Sequence, residues 1–329
     1  MDALIELLSF TLKAAVIAAV VLVIVASASR QRPPSHGQLS VRDLAARWRG
    51  YADALTGAKG LNRRQRSALR KQAKADAKVE RDGVVWVTNF SGDLRASGLG
   101  CLREAVSAII AAADPATDQV CVRLKSPGGG VSDYGLAANE MVRLKNAGLH
   151  VTVGVEGVAA SGGYMMAVVS DHIIASPFSA VGSIGVVAQV PNFHRALQKA
   201  DVDVEVMTAG KHKRTLTVFG ENTDEGRAKF RQDLEQIHAL FKEFVTRFRP
   251  SLDLDVVADG GHWFGEDALK LGLVDEIGSV DDYLMACAKK RRILQVEFKR
   301  PRNLGARFGQ SAALGIREFG KRLGLISHG

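Results

Sequence analysis

From Gly83 onward, short runs of alternating or crowded apolar residues take turns with longer runs of helical period. Val84 to Phe90 (VVWVTNF), Gln119 to Leu124 (QVCVRL) and His150 to Val155 (HVTVGV) read as strands, separated by helical runs from Leu102 to Ala113 and from Asp133 to Asn146. A short helix begins near Ser161. His172 to Ser176, Ser183 to Val190 (SIGVVAQV) and Val204 to Met207 (VEVM) continue the strand pattern, with a helix near Phe193 to Ala200. A long helix is predicted from Asp224 to Phe248, stopping at Arg249-Pro250 because the residue ahead of proline is pushed out of the helical region. This alternation predicts an α/β fold of stacked strand-helix units.

Upstream the pattern changes. Leu39 to Arg81, rich in Ala, Arg and Lys, predicts two helices divided near Gly57 and Gly60. Leu7 to Ser29 is an apolar run of 23 residues whose single charge, Lys13, lies near enough to one end to snorkel. Such a run is long enough to cross a bilayer. Ala26-Ser27-Ala28 has the form of a signal cleavage site, but Asp2 and Glu6 stand where a cleavable signal carries positive charge. We therefore read the run as a retained N-terminal transmembrane helix that holds the chain in a lipid bilayer.

Composition sharpens this organisation. With 329 residues, 47% hydrophobic and 24% charged, the chain can bury a full core. The net charge of +9 is accounted for by Arg30 to Asp82, which holds 14 basic and 5 acidic residues. No nucleic-acid recognition motif accompanies that charge, so nucleic acid is not an expected partner. Its basic face suits either an anionic lipid surface or plain solvent. Cys101, Cys121 and Cys287 lie far apart in the sequence, which implies neither a zinc site nor a disulfide framework. No metal or cofactor is expected. The chain divides into an anchor (1–29), a basic helical segment (30–82), an α/β domain (83–298) and a basic tail (299–329).

Two loops carry candidate chemistry. Lys125-Ser126-Pro127-Gly128-Gly129-Gly130-Val131 follows a strand and precedes a helix. Successive glycines let a substrate approach the backbone, whose N–H groups can converge on an oxyanion; a plain glycine turn is the competing reading. The stretch lacks the Gly-Lys-Ser/Thr closure of a phosphate loop. The second loop is Val158-Ala159-Ala160-Ser161-Gly162-Gly163-Tyr164, which delivers a serine among small residues to a helix start. Ser161 is there either a nucleophile or a helix N-cap. A nucleophilic serine needs a base. His172, His194, His238 and His262 stand in no diagnostic context, and Lys211 and Lys213 in AGKHKRT are the other candidates. A lysine serves as base only when burial lowers its pKa from about 10.4.

Taken together, KSPGGGV, VAASGGYMMA, AVGSIGVVAQVPNF, TAGKHKRTLT and FGENTDEGRAKF resemble the SohB branch of the signal peptide peptidase A family, in the family's order, from about Gly83 to Ile277. The resemblance implies a ClpP/crotonase-like fold and a serine endopeptidase working through a Ser/Lys dyad. Ser161 would be the nucleophile and Lys213, 52 positions later, its base, which leaves Lys211 out. The N–H groups of Gly129 and Gly162 would form the oxyanion hole, with Gly128 and Gly130 shaping the loop. Ser183 matches a serine that orients the lysine. His212 departs from the family, in which an aromatic residue is common beside the lysine.

The resemblance further implies peptide or membrane-protein substrates, signal-peptide remnants among them, and assembly as a homo-oligomer in which a neighbouring subunit can complete the site. Two other classes stay open: acyl-CoA chemistry of the crotonase type, against which no carboxylate base is evident, and a non-catalytic membrane scaffold or chaperone. The arginines that follow the apolar run place the α/β domain on the cytoplasmic side of a bacterial inner membrane. Analogy with better-known signal peptide peptidases places it in the periplasm.

Overall fold

The computed structural model describes residues 37–78, 82–210 and 212–299. The apolar run Leu7 to Ser29 and the tail after Lys299 lie outside the described residues. Among the described residues no helix is long and apolar enough to cross a membrane.

The architecture is a mixed α/β sheet. Its first strand, β1 (Gln38–Asp43), leads into helices α1 (Leu44–Ala58) and α2 (Arg63–Lys78). Asp43 caps α1 by accepting from the Ala46 N–H at 2.8 Å, and Leu44 packs beside Val85, Val87 and Leu284. There follow β2 (Val84–Ser91), α3 (Leu99–Ala112), β3 (Gln119–Ser126), α4 (Val131–Asn146), β4 (His150–Ala160), α5 (Gly162–Ala167), β5 (His172–Ala175) and β6 (Ala180–Gly182). After α6 (His194–Gln198) come α7 (Asp224–Phe248), α8 (Leu254–Val257), β7 (His262–Phe264), α9 (Gly265–Lys270), β8 (Glu276–Ile277), α10 (Val280–Cys287) and β9 (Arg292–Lys299).

The sheet runs β1-β9-β2-β3-β4-β5-β8, and the central pairings from β9 to β8 are parallel. Strands covered on both faces read as near-continuous apolar runs, as the buried Val120, Cys121 and Val122 of β3 do. Midway along, β4 changes partner on one edge. Val155 is the last residue paired with β5, and Val158 is the first paired with β6, across a bend at Gly157 with φ +91°. The pairing of β3 with β4 shifts at the same level, from Leu124–Val155 to Ser126–Ala159. That bend aims the end of β4 at the candidate nucleophile.

Two expected strands are absent. Ser183 to Val190 and Val204 to Met207 form no sheet, because no strand among the described residues pairs with them. Val187 and Met207 are each 85% exposed, and Val190, Phe193, Val204, Val206 and Phe219 are exposed as well. The strand expected from His172 to Ser176 is β5, which His172 opens.

Candidate active site

Strand β3 ends at Ser126 and runs into Pro127-Gly128-Gly129-Gly130, while β4 ends at Ala160 and runs into Ser161. Because the strands are parallel neighbours, with Ser126 opposite Ala159, both loops emerge side by side at the strands' carboxyl ends. Open α/β sheets place their ligands at such ends.

Ser161 holds φ +52° and ψ −120°. For a residue with a Cβ this costs on the order of 1–3 kcal/mol, and strain of this kind gathers at functional positions. The surroundings hold it in place: the Ser161 N–H donates to the Gly182 carbonyl at 2.8 Å, and the Ser161 carbonyl accepts from the Met165 N–H at 2.9 Å. Although Ser161 heads α5, its side chain makes no capping hydrogen bond. The hydroxyl is not spent on an N-cap role.

The glycines divide their work. Gly128, at φ +86°, has no room for a side chain, since a Cβ there would stand 2.7 Å from both the Ala160 carbonyl oxygen and the Gly162 nitrogen. Its N–H donates to Ser126 Oγ at 3.2 Å, and the Gly130 N–H donates to the Leu94 carbonyl at 2.9 Å. Between them the Gly129 N–H has no acceptor among the described residues, and neither has the Gly162 N–H at the start of α5. Both N–H groups are thus open to an acceptor.

Gly129, Ser161 and Gly162 line one cavity of about 240 Å³. Its walls are apolar: Val131, Tyr134 and Met165 on one side, Ile237, Leu240, Phe241 and Phe244 of α7 on the other. Helix α7 is secured at both ends. The Thr223 hydroxyl accepts from the Gly226 N–H at 3.1 Å, and Arg249 grips Asp275 with Nη1–Oδ1 at 2.9 Å and Nη2–Oδ2 at 2.5 Å. Sequence reasoning found α7 but not its role as a cavity wall. The signal was present in Ile237, Phe241 and Phe244, apolar at helical spacing.

The remaining candidates lie apart from the cavity lining. Lys213 is exposed, sits in a turn closed by its N–H on the Gly210 carbonyl at 3.1 Å, and does not line the cavity. Lys211 is outside the described residues. Ser183, with φ +52°, follows the Gly182 carbonyl that holds Ser161, and its hydroxyl donates to the Gly260 carbonyl at 3.3 Å. None of the four candidate histidines lines the cavity. His172 pairs with Glu276 at 2.9 Å, His238 meets the Ile184 carbonyl at 3.2 Å, and His262 sits edge-on to Phe264.

Comparison with known proteins bears on this arrangement. Peptidase family S49 matches residues 143–294, and the N-terminal part of the same family matches residues 2–141. A "Probable protease SohB" of Haemophilus influenzae is 52% identical over 233 residues, 71% of this chain and 66% of that protein. A "Probable protease SohB" of Buchnera aphidicola from Acyrthosiphon pisum is 44% identical over 234 residues, 71% of this chain and 69% of that protein. The match therefore spans about two thirds of these relatives' length. A solved membrane-bound stomatin-specific protease overlaps 64% of this chain and 86% of its own, at 14% identity and a TM-score of 0.36. That overlap is too slight to place any residue. The chain belongs to peptidase family S49, on its SohB branch.

Proposed function

We propose that this chain is a membrane-anchored serine endopeptidase on a ClpP/crotonase-like fold, with Ser161 as nucleophile and Lys213 as general base. The observation that carries the proposal is the strained Ser161, its hydroxyl free of capping, at an apolar cavity between the unengaged N–H groups of Gly129 and Gly162. In this reading Ser161 Oγ attacks the scissile carbonyl, and the carbonyl oxygen, now negative, lies between the two N–H groups. The lysine takes the hydroxyl proton and passes it to the departing amine. Water then hydrolyses the acyl-enzyme.

A lysine is an effective base only when neutral, which calls for burial. Lys213 belongs to an exposed segment that also presents Val187, Val204, Val206, Met207 and Phe219. A second copy docking on that apolar surface would cover the segment and bring Lys213 of one protomer to Ser161 of the next. The apolar cavity suits hydrophobic peptide segments, such as signal-peptide remnants or membrane-protein stretches. Residues 7–29 would hold the protein in the bacterial inner membrane, with residues 30–82 as a basic linker and the α/β domain on the cytoplasmic side.

Mixing two inactive variants tests this reading. Ser161→Ala and Lys213→Ala, each purified in detergent, should lack peptide cleavage alone and recover it on co-assembly. Full activity in either single variant would remove the dyad. Silence of the mixed assembly would place both residues within one chain. Protease accessibility of the α/β domain in intact spheroplasts tests the side: protection supports the cytoplasm and digestion the periplasm.

A further inference from the structure

Tyr134, on the second turn of α4, is fully buried beneath the two loops and has no part in the chemistry described above. Its hydroxyl lies 2.6 Å from Ser126 Oγ and 2.9 Å from the Asp93 carbonyl oxygen. A carbonyl only accepts, so the single phenolic hydrogen goes to Asp93, and Ser126 must donate its own to Tyr134. The Ser126 oxygen is then free to accept from the Gly128 N–H at 3.2 Å. The direction of every bond in this buried chain is fixed. Burial pushes the Tyr134 phenol above its ordinary pKa, while the Ser126 bond opposes that shift. The phenol therefore keeps its hydrogen at neutral pH.

The same side chain reaches the second loop. A Cβ on Gly162 would stand 2.3 Å from Tyr134 Cγ, so the ring lies directly against the peptide that bears the Gly162 N–H. The Asp93 carbonyl adjoins Leu94, whose own carbonyl takes the Gly130 N–H at 2.9 Å. Gly92 leaves the space: a Cβ there would stand 2.3 Å from the Tyr134 oxygen and 2.4 Å from Ser126 Oγ. One phenol thus braces the Gly128 end of the glycine turn through Ser126, the Gly130 end through the 93–94 strap, and Gly162 through its ring.

We propose that Tyr134, acting through Ser126 and the Asp93 carbonyl, is a positioning residue that fixes the distance between the two oxyanion donors, the N–H groups of Gly129 and Gly162. The proposal rests on the reading of Ser161 as nucleophile. It says that rate depends on a hydroxyl remote from the reacting atoms, while substrate affinity depends on the apolar cavity, whose Tyr134 ring a phenylalanine would preserve. Removing one oxyanion donor typically costs about 10²–10³ in kcat, so misplacing one is expected to cost about 10–100-fold.

The test uses the full chain in detergent, a fluorogenic apolar peptide, and a peptide aldehyde whose hemiacetal oxygen occupies the oxyanion hole. Tyr134→Phe should lower kcat by about 10–100-fold with KM within about twofold, and aldehyde affinity should fall by the same factor as kcat. Ser126→Ala should behave alike, and the double variant should be little worse than either alone, since both cut one chain of bonds. Unchanged kcat in Tyr134→Phe, a change confined to KM, or multiplying effects in the double variant would overturn the proposal. If Tyr134→Phe does not fold, Ser126→Ala is read by the same criteria. Ser161→Ala serves as the separate control: if it stays active, the nucleophile reading fails, whatever Tyr134 does.

Discussion

Gly128 faces Ser161 so closely that a Cβ on the glycine would stand 2.8 Å from the serine Cβ. The glycine turn and the serine thus form one unit, and a single methyl group at position 128 would part them. The positive φ of Gly128 adds strain for any other residue.

Gly128→Ala is therefore expected to abolish peptide cleavage, by about 10³-fold or more, with a destabilisation of at least ~1–3 kcal/mol, because the backbone clash adds to the strain. Thermal melting and initial rates measured on the same preparation check this. A variant with full activity would mean that the turn does not shape the oxyanion site.

The cavity wall makes a separate prediction. Leu240 lines the cavity and is 64% exposed. Leu240→Asp should raise KM for apolar peptides by about tenfold, because a carboxylate replaces apolar contact area, while the melting temperature moves little, as for most surface substitutions. Steady-state kinetics on paired apolar and acidic peptides would show whether preference shifts with it.

The clasp at the end of α7 predicts a dependence on pH. Burial alone pushes Asp275 up, but hydrogen bonds from Arg249 and from the Ile173 N–H at 2.7 Å outweigh it and hold the carboxyl below its ordinary 3.8. A carboxyl depressed in the folded state contributes stability that is fully present above the unfolded value and is lost as pH falls through the folded one. Melting temperature should accordingly drop below about pH 3.8. Asp275→Asn should melt lower at pH 7 and lose less on acidification, since its share is already gone.

Glu140 offers a control that concerns stability alone. It is 3% exposed, pairs with Arg103 at 3.3 Å and with Arg143, and so links α3 to α4. Glu140→Ala leaves these guanidinium groups without their carboxylate and should cost ~1–3 kcal/mol in denaturant melts, with activity per folded molecule unchanged.

How much of this was legible in the sequence depended on the range of the interactions. Helix α7 was readable from end to end, because its apolar period and the stop before Pro250 are both local signals. The central strands were readable for the same reason. The short strands β7 and β8 were not, since three and two residues carry no period and exist only through their partners. In Ser183 to Val190 and Val204 to Met207 the apolar pattern was real, but among the described residues no strand pairs with those stretches.

The candidate site divides along the same line. Ser161 and the glycines stood out by residue type, and the structure adds why: two adjacent parallel strands end there, and Gly182 holds the serine backbone. Tyr134 looked like any core position of an amphipathic helix. Its hydroxyl meets Asp93, 41 positions away, and no local pattern encodes that contact. Lys213 drew its role from resemblance, and its exposure in one chain is why the proposed site needs a second copy.

The most direct test of Ser161 as nucleophile is mass spectrometry of the full-length protein after treatment with a fluorophosphonate that traps activated serines. The expected result is one adduct per active site, mapped to Ser161, absent in Ser161→Ala, with peptide cleavage lost in proportion to labelling. Labelling at another residue that abolishes cleavage, or cleavage that continues with Ser161 fully modified, would contradict it.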